Sequence, residues 1–276
     1  MPIDAINGAR LYWEFTGTAG DLLALVHGSW SDHHGWDAVV PGLSRSFRVL
    51  TYDRRGHSQS DRPTGQGSVH EDVADLAALI EHTGLGPAHI AGSSFGAAIT
   101  LRLAGQRPDL FRSLIAHEPP VFSLLADSPD MQPALTEAAK RVQAVLERLR
   151  SGETAEGTRL FMETIALGPG AWPQLPERAR KTFIFNAPTF VDENQDPESQ
   201  ALPLAPLRDF PHRALLTRGD QSAPFFPPVL DKIAAALRKV ERRIFHGAGH
   251  VPHLTHPDAY VEVVKEFAGR SGQALR

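Results

Sequence analysis

The sequence predicts an α/β fold with a mostly parallel, twisted sheet that is flanked by helices and interrupted by a helical insertion. Short apolar runs alternate with segments of helical periodicity along most of the chain, as in a parallel, doubly wound sheet. The first run, residues 22–26, is continuously apolar, so both faces of that strand are predicted to be buried. The alternation stops between residues 119 and 206, where only helical patterns occur.

A hairpin is predicted at the start of the chain, because Asn7-Gly8 lies between two alternating segments. Apolar runs then predict strands at residues 22–26, 47–52, 89–91, 113–116, 214–217 and 242–245. Helical patterns separate these strands at residues 69–82, 97–106, 228–237 and 257–267. We therefore expect an antiparallel hairpin followed by a parallel sheet with helices packed on it.

The insertion is predicted to be helical throughout. Apolar residues recur at helical spacing from Leu135 to Leu149, which predicts a helix at residues 133–150, and a second helix is predicted at 154–167. A Pro-rich stretch at residues 201–206 ends the segment. We therefore expect one core formed by residues 1–118 and 207–276, with residues 119–206 as a helical cap over one end of the sheet.

Composition excludes several classes of function. The net charge of −4 argues against a nucleic-acid partner, which would need a basic surface. The absence of cysteine excludes disulfides and thiol nucleophiles and fits a reducing compartment. Neither a signal-peptide pattern at residues 1–8 nor a long apolar run is present. We expect a soluble, cytoplasmic protein that acts on a small molecule without binding nucleic acid or membrane, with a disordered tail at 269–276; the sequence carries no signal for an oligomeric state.

The pentapeptide Gly92-Ser93-Ser94-Phe95-Gly96 predicts a catalytic serine. In a GxSxG sequence the serine occupies a tight turn between a strand and a helix, where side chains larger than glycine at the flanks would clash. A predicted strand precedes the motif and a predicted helix follows it, which argues against a Gly/Ser-rich turn without chemistry. We predict Ser94 as the nucleophile, whereas Ser93 lacks the glycine spacing and is interpreted as a packing or pocket residue.

Two backbone N–H groups are needed to stabilise the oxyanion of a tetrahedral intermediate. One is predicted to come from Phe95, at the N-terminus of the helix after the nucleophile. The other is predicted to come from Ser29, in the loop His27-Gly28-Ser29-Trp30 after the strand at 22–26. The side chain of His27 is interpreted as structural.

His250 is the predicted general base. It follows the last predicted strand, at the carboxyl end of the sheet, where open α/β sheets bind their ligands. A zinc site is the alternative for the local cluster His246, His250, His253 and His256, but no acidic residue stands at a metalloprotease spacing from it. We therefore expect neither a metal nor a cofactor, and Asp32-His33-His34 is interpreted as a solvated helix start.

Four motifs together closely resemble the α/β-hydrolase superfamily: HGSWSDHHGW at 27–36, YDRRGHSQSD at 52–61, GSSFG at 92–96 and GAGHVPHLTHP at 247–257. The resemblance covers almost the whole chain and implies an α/β-hydrolase fold and a catalytic triad. It does not specify a substrate.

The acid of the triad departs from the common pattern of that superfamily. Many members carry an aspartate three residues after the glycine that ends the penultimate strand, where this chain has Ser222 after Gly219. Haloalkane dehalogenases and zearalenone-type lactone hydrolases instead carry the acid just after the strand that follows the nucleophile helix. The resemblance implies Glu118 at that position, with Asp220 as the alternative and with a surface acid before a Pro-Pro turn as the non-catalytic interpretation of Glu118.

These residues predict a serine hydrolase that cleaves a carboxylic ester or lactone through an acyl-enzyme on Ser94. The aromatic residues Trp30, Phe95, Phe122, Phe225 and Phe226 are candidates for a pocket that takes a hydrophobic substrate, with Trp30, Phe122 and Phe225 as the assigned pocket residues, although aromatic residues at such positions are at least as often core. A serine nucleophile argues against haloalkane dehalogenase and epoxide hydrolase, which use aspartate. A C–C bond hydrolase, a haloperoxidase-like enzyme and a receptor-like ligand-binding protein are the alternatives.

Overall fold

Eight strands form one sheet in the computed structural model of the protein, which describes residues 3–270. The spatial order is β1-β2-β4-β3-β5-β6-β7-β8; β2 is antiparallel to both of its neighbours, and the strands from β4 onward in this order are parallel. The strands are β1 (Ile3–Ile6), β2 (Ala9–Thr16), β3 (Leu22–Val26), β4 (Arg48–Tyr52), β5 (Ala88–Ser93), β6 (Phe111–His117), β7 (Arg213–Gly219) and β8 (Val240–Phe245).

The predicted α/β fold is therefore confirmed, including the hairpin at Asn7-Gly8. Both turn residues have a positive φ, +47° and +80°, as a tight two-residue hairpin requires. The helices are α1 (Val40–Leu43), α2 (Val69–Thr83), α3 (Phe95–Gln106), α4 (Gln132–Arg150), α5 (Thr154–Phe161), α6 (Glu177–Gln195), α7 (Phe226–Ala236), α8 (Pro252–Thr255) and α9 (Pro257–Gly269).

The sheet separates two hydrophobic layers, as the continuous apolar run of β3 predicts. Leu22, Ala24 and Val26 pack into one cluster, and Leu23 and Leu25 pack into the other. Successive side chains of a strand point to opposite faces, so a strand covered by helices on both faces must be apolar at every position. Helices α2, α3 and α7 contribute to the first layer, and α1 and α9 contribute to the second.

The segment between β6 and β7 holds α4, α5 and α6 and contains no strand within the described residues. The predicted helix at 133–150 corresponds to α4, and the prediction at 154–167 corresponds to α5 with the π-helical turn Met162–Ala166 after it. Apolar side chains of these helices form a third cluster around the buried Trp30 of the core. That residues 119–206 form a separate cap domain stays a prediction.

Gly269 ends α9, and the rest of the predicted disordered tail, from residue 271, lies outside the described residues. Within residues 3–270, no helix combines the length and the apolar composition that crossing a bilayer requires.

Candidate active site

Ser94 lies on a sharp turn between the end of β5 and the start of α3. Its backbone has φ +55° and ψ −124°, a conformation that non-glycine residues rarely adopt. A Cβ at Gly92 would lie 2.3 Å from the carbonyl oxygen of Gly96, and one at Gly96 would lie 2.2 Å from that of Val26. Both glycines are therefore required by the close packing of the turn, as the motif predicts.

Ser94, His250 and Glu118 form a continuous chain of hydrogen bonds. The Nε2 of His250 lies 2.9 Å from Ser94 Oγ, and its Nδ1 lies 2.6 Å from Glu118 Oε2. A carboxylate can only accept, so Nδ1 carries the proton and Nε2 is free to accept the proton of the serine. This is the arrangement of a nucleophile, a base and an orienting acid.

Glu118 is fully buried, and both of its carboxylate oxygens accept hydrogen bonds. Oε1 accepts a hydrogen bond of 2.8 Å from the backbone N–H of Gly219. Burial alone would raise the pKa of the carboxyl, but the hydrogen bond from His250 and the nearby His117 outweigh it, so that the pKa of Glu118 is lowered. The carboxyl is therefore ionised at neutral pH. Its backbone has φ +45°, a second strained position at the end of a strand.

His117 supports the loop of His250 from behind. Its Nε2 donates to the carbonyl oxygen of His250 over 3.1 Å, and its Nδ1 accepts from Thr217 Oγ1 over 2.9 Å. Burial lowers the pKa of His117 to about 4, against the opposing effect of Glu118. The ring is therefore neutral, which leaves Nδ1 as the acceptor of the Thr217 hydroxyl.

Asp220, the alternative acid, does not contact His250. Its carboxylate accepts hydrogen bonds from Nδ1 of His246, at 3.0 Å, and from the backbone N–H of Gly247, at 2.9 Å. Both contacts are exposed to solvent. The carboxylate that faces the imidazole of His250 is that of Glu118.

The loop after β3 runs directly against the nucleophile. A Cβ at Gly28 would lie 3.1 Å from the Cβ of Ser94 and 3.7 Å from the backbone nitrogen of Phe95. Gly28 therefore packs on the turn of Ser94; Ser29 follows Gly28 on this loop, and Phe95 is the first residue of α3. The role of Ser29 and Phe95 as oxyanion donors stays a prediction.

His27 holds this loop through its ring, in agreement with its structural interpretation. Nδ1 donates to the carbonyl oxygen of Gly28 over 2.8 Å, and Nε2 accepts the backbone N–H of Arg54 over 3.0 Å. Burial, assisted by the charge of Arg54, lowers the pKa of His27 to about 3. The ring is therefore neutral and ties the loop to the end of β4.

Three of the predicted pocket residues, Phe122, Phe225 and Phe226, pack together, and Phe226 contacts the imidazole of His250. Phe226 stacks on His250 with ring centroids 5.1 Å apart, and Phe225 contacts both Phe226, at 4.9 Å, and Phe122, at 4.8 Å. Trp30 lies elsewhere: it is 0% exposed and packs on aromatic rings of the insertion. As placed, Trp30 therefore offers no surface to a substrate.

The histidines near the end of the chain do not converge on one point. The ring of His246 is exposed, that of His253 is buried against Trp36, and that of His256 contacts Thr255. Of these four histidines, His250 is the one that contacts Ser94 and Glu118. One potential metal-ligand atom on each of His117, Glu118 and His250 also lies within 4.8 Å of the other two. These side chains are already joined by the hydrogen bonds described above.

The interpretation of Asp32 and His33 as solvated is wrong. Asp32 does cap a 3-10 helix, His33–Trp36, but both side chains are buried. The reason is Asp53 at the end of β4, whose carboxylate accepts from Nδ1 of His33 at 2.6 Å and from the backbone N–H of Gln59. Asp32 is satisfied by Ser58 and by the backbone of the helix, so this cluster is a buried structural network.

Residues 23–263 match the sequence model of the Alpha/beta hydrolase family, which is most of the chain. The chain belongs to the alpha/beta hydrolase family. The resemblance stated from the four motifs is therefore confirmed.

Relatives of this alpha/beta hydrolase include proteins of different activities. It is 25% identical over 266 residues to a pimeloyl-[acyl-carrier protein] methyl ester esterase of Sodalis glossinidius, covering 94% of this chain and 97% of the relative. It is 36% identical over 110 residues, 40% of this chain, to the dihydrolipoyllysine-residue acetyltransferase component of an acetoin cleaving system of Pseudomonas putida, and spans 30% of that protein.

A solved structure shares the fold along almost the whole chain. The enol-lactonase of Burkholderia xenovorans LB400 superimposes with a TM-score of 0.73 at 21% identity, covering 96% of this chain and 99% of that one. At this identity the likeness shows the fold alone.

One group of interacting residues in this alpha/beta hydrolase could not be predicted from the sequence. Arg54, immediately after β4, is buried and binds Asp72 of α2 and Glu193 of α6. The run YDRRG marks the position of the arginine, but no spacing indicates which carboxylates it meets, since Glu193 is 139 residues away.

Proposed function

We propose that this alpha/beta hydrolase is a serine hydrolase that cleaves a carboxylic ester or lactone of a hydrophobic small molecule through an acyl-enzyme. The observation that carries the proposal is the unbroken chain of hydrogen bonds from Glu118 through His250 to Ser94. A buried and ionised acid, an imidazole oriented by it and a hydroxyl on a strained turn together make up the machinery that activates a serine.

The first half of the reaction forms the acyl-enzyme. Ser94 Oγ attacks the carbonyl carbon while His250 Nε2 takes its proton, and the charge on the imidazolium is stabilised by Glu118. The N–H groups of Phe95 and Ser29 stabilise the oxyanion. His250 then returns the proton to the leaving alkoxide, and the C–O bond breaks.

The second half repeats these steps with water. His250 removes a proton from the water molecule, the hydroxide attacks the acyl carbon, and the collapse of the intermediate releases the acid and restores the hydroxyl of Ser94. For a lactone, the alcohol and the acid leave as parts of one product.

Two further observations support the proposal. A relative that matches along nearly the whole chain is a methyl ester esterase. Phe226 lies flat against His250, with Phe225 and Phe122 behind it, so the substrate is expected to contact an apolar wall next to the base. Such a wall favours an apolar acyl or alcohol group over a charged one.

The test is steady-state hydrolysis of a panel of p-nitrophenyl esters, aliphatic lactones and aryl lactones by the wild type, Ser94→Ala and Ser93→Ala. We expect turnover of at least one class by the wild type and by Ser93→Ala, and a loss of about 10⁴-fold or more in kcat for Ser94→Ala. Vinylogous diketones and a bromination assay in the same panel test the C–C hydrolase and haloperoxidase alternatives. Turnover confined to either of those, or equal activity in Ser94→Ala, would contradict the proposal.

A further inference from the structure

The side chain of Ser29 is held by a residue of the insertion. Its hydroxyl donates a 2.5 Å hydrogen bond to Oε2 of Glu193, which lies on α6, 164 residues further along the chain. A hydroxyl that donates to a buried carboxylate makes a short and strong hydrogen bond, because the acceptor is charged and water is excluded. The hydroxyl of Ser29 is therefore engaged by the insertion, and its backbone follows directly after Gly28, which packs against Ser94.

Glu193 is itself fixed in place by Arg54. Both Nη1 and Nη2 of Arg54 lie 3.0 Å from Glu193 Oε1, and Nε and Nη2 bind the two carboxylate oxygens of Asp72 at 3.0 and 2.9 Å. The side chains of Arg54 and Glu193 are only 2% and 8% exposed. Buried charges in this arrangement compensate one another, and removing one of them leaves the others without a partner.

The same network contacts the second predicted oxyanion donor. The guanidinium of Arg54 lies 4.7 Å from the ring centroid of Phe95, and the backbone N–H of Arg54 is bonded to the ring of His27 at the start of the Ser29 loop. Phe95 and Ser29 therefore share one rigid neighbour, which connects to the insertion through Glu193.

We propose that Glu193 is a positioning residue that holds the backbone N–H of Ser29 in the oxyanion hole through the Ser29 hydroxyl. This inference rests on the proposed function. Oxyanion donors act only if they are aligned with the charge that develops in the transition state, so a small displacement of Ser29 reduces the rate without removing the triad. Because Glu193 lies on α6, the contact also makes turnover depend on how α6 is packed against the core.

The test uses two variants that break the same contact from opposite ends. Ser29→Ala removes the hydroxyl and keeps the backbone N–H. Glu193→Gln leaves one acceptor oxygen where Ser29 and Arg54 each require one. For both variants we expect kcat to fall about 10- to 100-fold, with KM changing less than about threefold, because the lost interaction acts in the transition state. Asp192→Asn, next to Glu193 on α6, is the matched control and is expected to retain wild-type kcat.

Three further measurements separate positioning from general disruption. The Ki of a phenylboronic acid, which mimics the tetrahedral intermediate, should rise by the same factor as kcat falls. The double variant should lose no more activity than the more impaired single variant, since both remove one contact. All variants should still be labelled to completion at Ser94 by an organophosphonate, which shows that the site is folded.

The outcomes distinguish this inference from the proposed function. Wild-type kcat in Ser29→Ala and Glu193→Gln, additive losses in the double variant, or a rise in KM with an unchanged boronate Ki would overturn the role of Glu193 and leave the proposed function standing. A wild type that neither reacts with the organophosphonate nor turns over any substrate would overturn the proposed function, and the inference with it.

Discussion

Glu118 occupies the most constrained position of the candidate site. It is completely buried, its backbone is strained, and its two oxygens serve different partners, the backbone of Gly219 and the ring of His250. Strain of this kind persists only where surrounding contacts enforce it, and it is concentrated at functional sites. In the proposed mechanism, Glu118 orients the imidazole of His250 and stabilises its charged form.

Glu118→Gln is expected to lower kcat by about 10³- to 10⁴-fold. An amide at this place can donate a hydrogen bond to Nδ1, which would favour the tautomer that presents a proton, and no lone pair, to Ser94. Asp220→Asn, the matched control at the exposed alternative acid, should stay within about twofold of the wild type. Steady-state kinetics on a p-nitrophenyl ester measures both, and a large loss confined to Asp220→Asn would show that the wrong carboxylate is assigned.

Individual residues were predictable from sequence only where a local pattern exists. Ser94 is marked by its flanking glycines, and His250 by its place after the last strand. Glu118 is implied by a family resemblance and not by spacing. The contact between Ser29 and Glu193 has no local signal, because the two residues belong to segments that meet only after folding.

At the level of elements, the turn that carries Ser94 depends on how closely α3 approaches β3. The Cβ that alanine would add at Gly96 lies 2.2 Å from the carbonyl oxygen of Val26 and 2.6 Å from that of His27. Both neighbours are backbone atoms of the sheet and of the loop after it, so they cannot give way as a flexible side chain can. The geometry of the nucleophile and the packing of α3 are therefore linked.

Gly96→Ala should destabilise the protein by more than about 2 kcal/mol and abolish turnover, because α3 must move away from the sheet. Gly269→Ala, where an added Cβ meets no atom within 4 Å, should change the unfolding free energy by less than about 1 kcal/mol. Urea denaturation of both variants gives the comparison. Equal stabilities would mean that the turn tolerates a side chain.

The helices and strands that can be predicted from the sequence are those whose burial follows a regular pattern. The inner parallel strands β3 to β7 are recognisable because strands covered on both faces are mostly apolar, and α4 is recognisable because one face alone contacts the core. Helix α6 was not predicted: it carries Pro188 and an exposed Phe185, and it buries Asn186 and Thr189, so its pattern lacks a clear apolar face. Its burial depends on hydrogen bonds to the core, which composition does not reveal.

For the whole molecule, four of the buried histidines predict a sensitivity to acid. Burial lowers the pKa of His117 and His89 to about 4 and that of His27 and His253 to about 3. In the unfolded chain a histidine titrates at about 6.5. Between these values the unfolded state binds more protons than the folded state, so stability is fully present above pH 6.5 and is lost as the pH falls towards 4.

The free energy of unfolding, measured with urea at constant salt, should therefore fall on acidification from pH 7 to pH 4.5. Each such histidine contributes a slope of up to about 1.4 kcal/mol per pH unit. His253 has an unpaired Nδ1 and packs on Trp36, so His253→Phe keeps a ring there and should reduce the slope by one histidine's share. A pH-independent stability over this range would contradict the buried, neutral state of these rings.

The proposed mechanism depends on Ser94 being a nucleophile that His250 activates. The most direct measurement is the intact mass of the protein after incubation with an organophosphonate, followed by identification of the modified peptide. We predict one phosphonyl group per chain, on the peptide that contains Ser94, with none on Ser94→Ala and slow modification of His250→Gln. Absence of a covalent adduct on the folded wild type, or an adduct on Ser93 or elsewhere that persists in Ser94→Ala, would contradict the account.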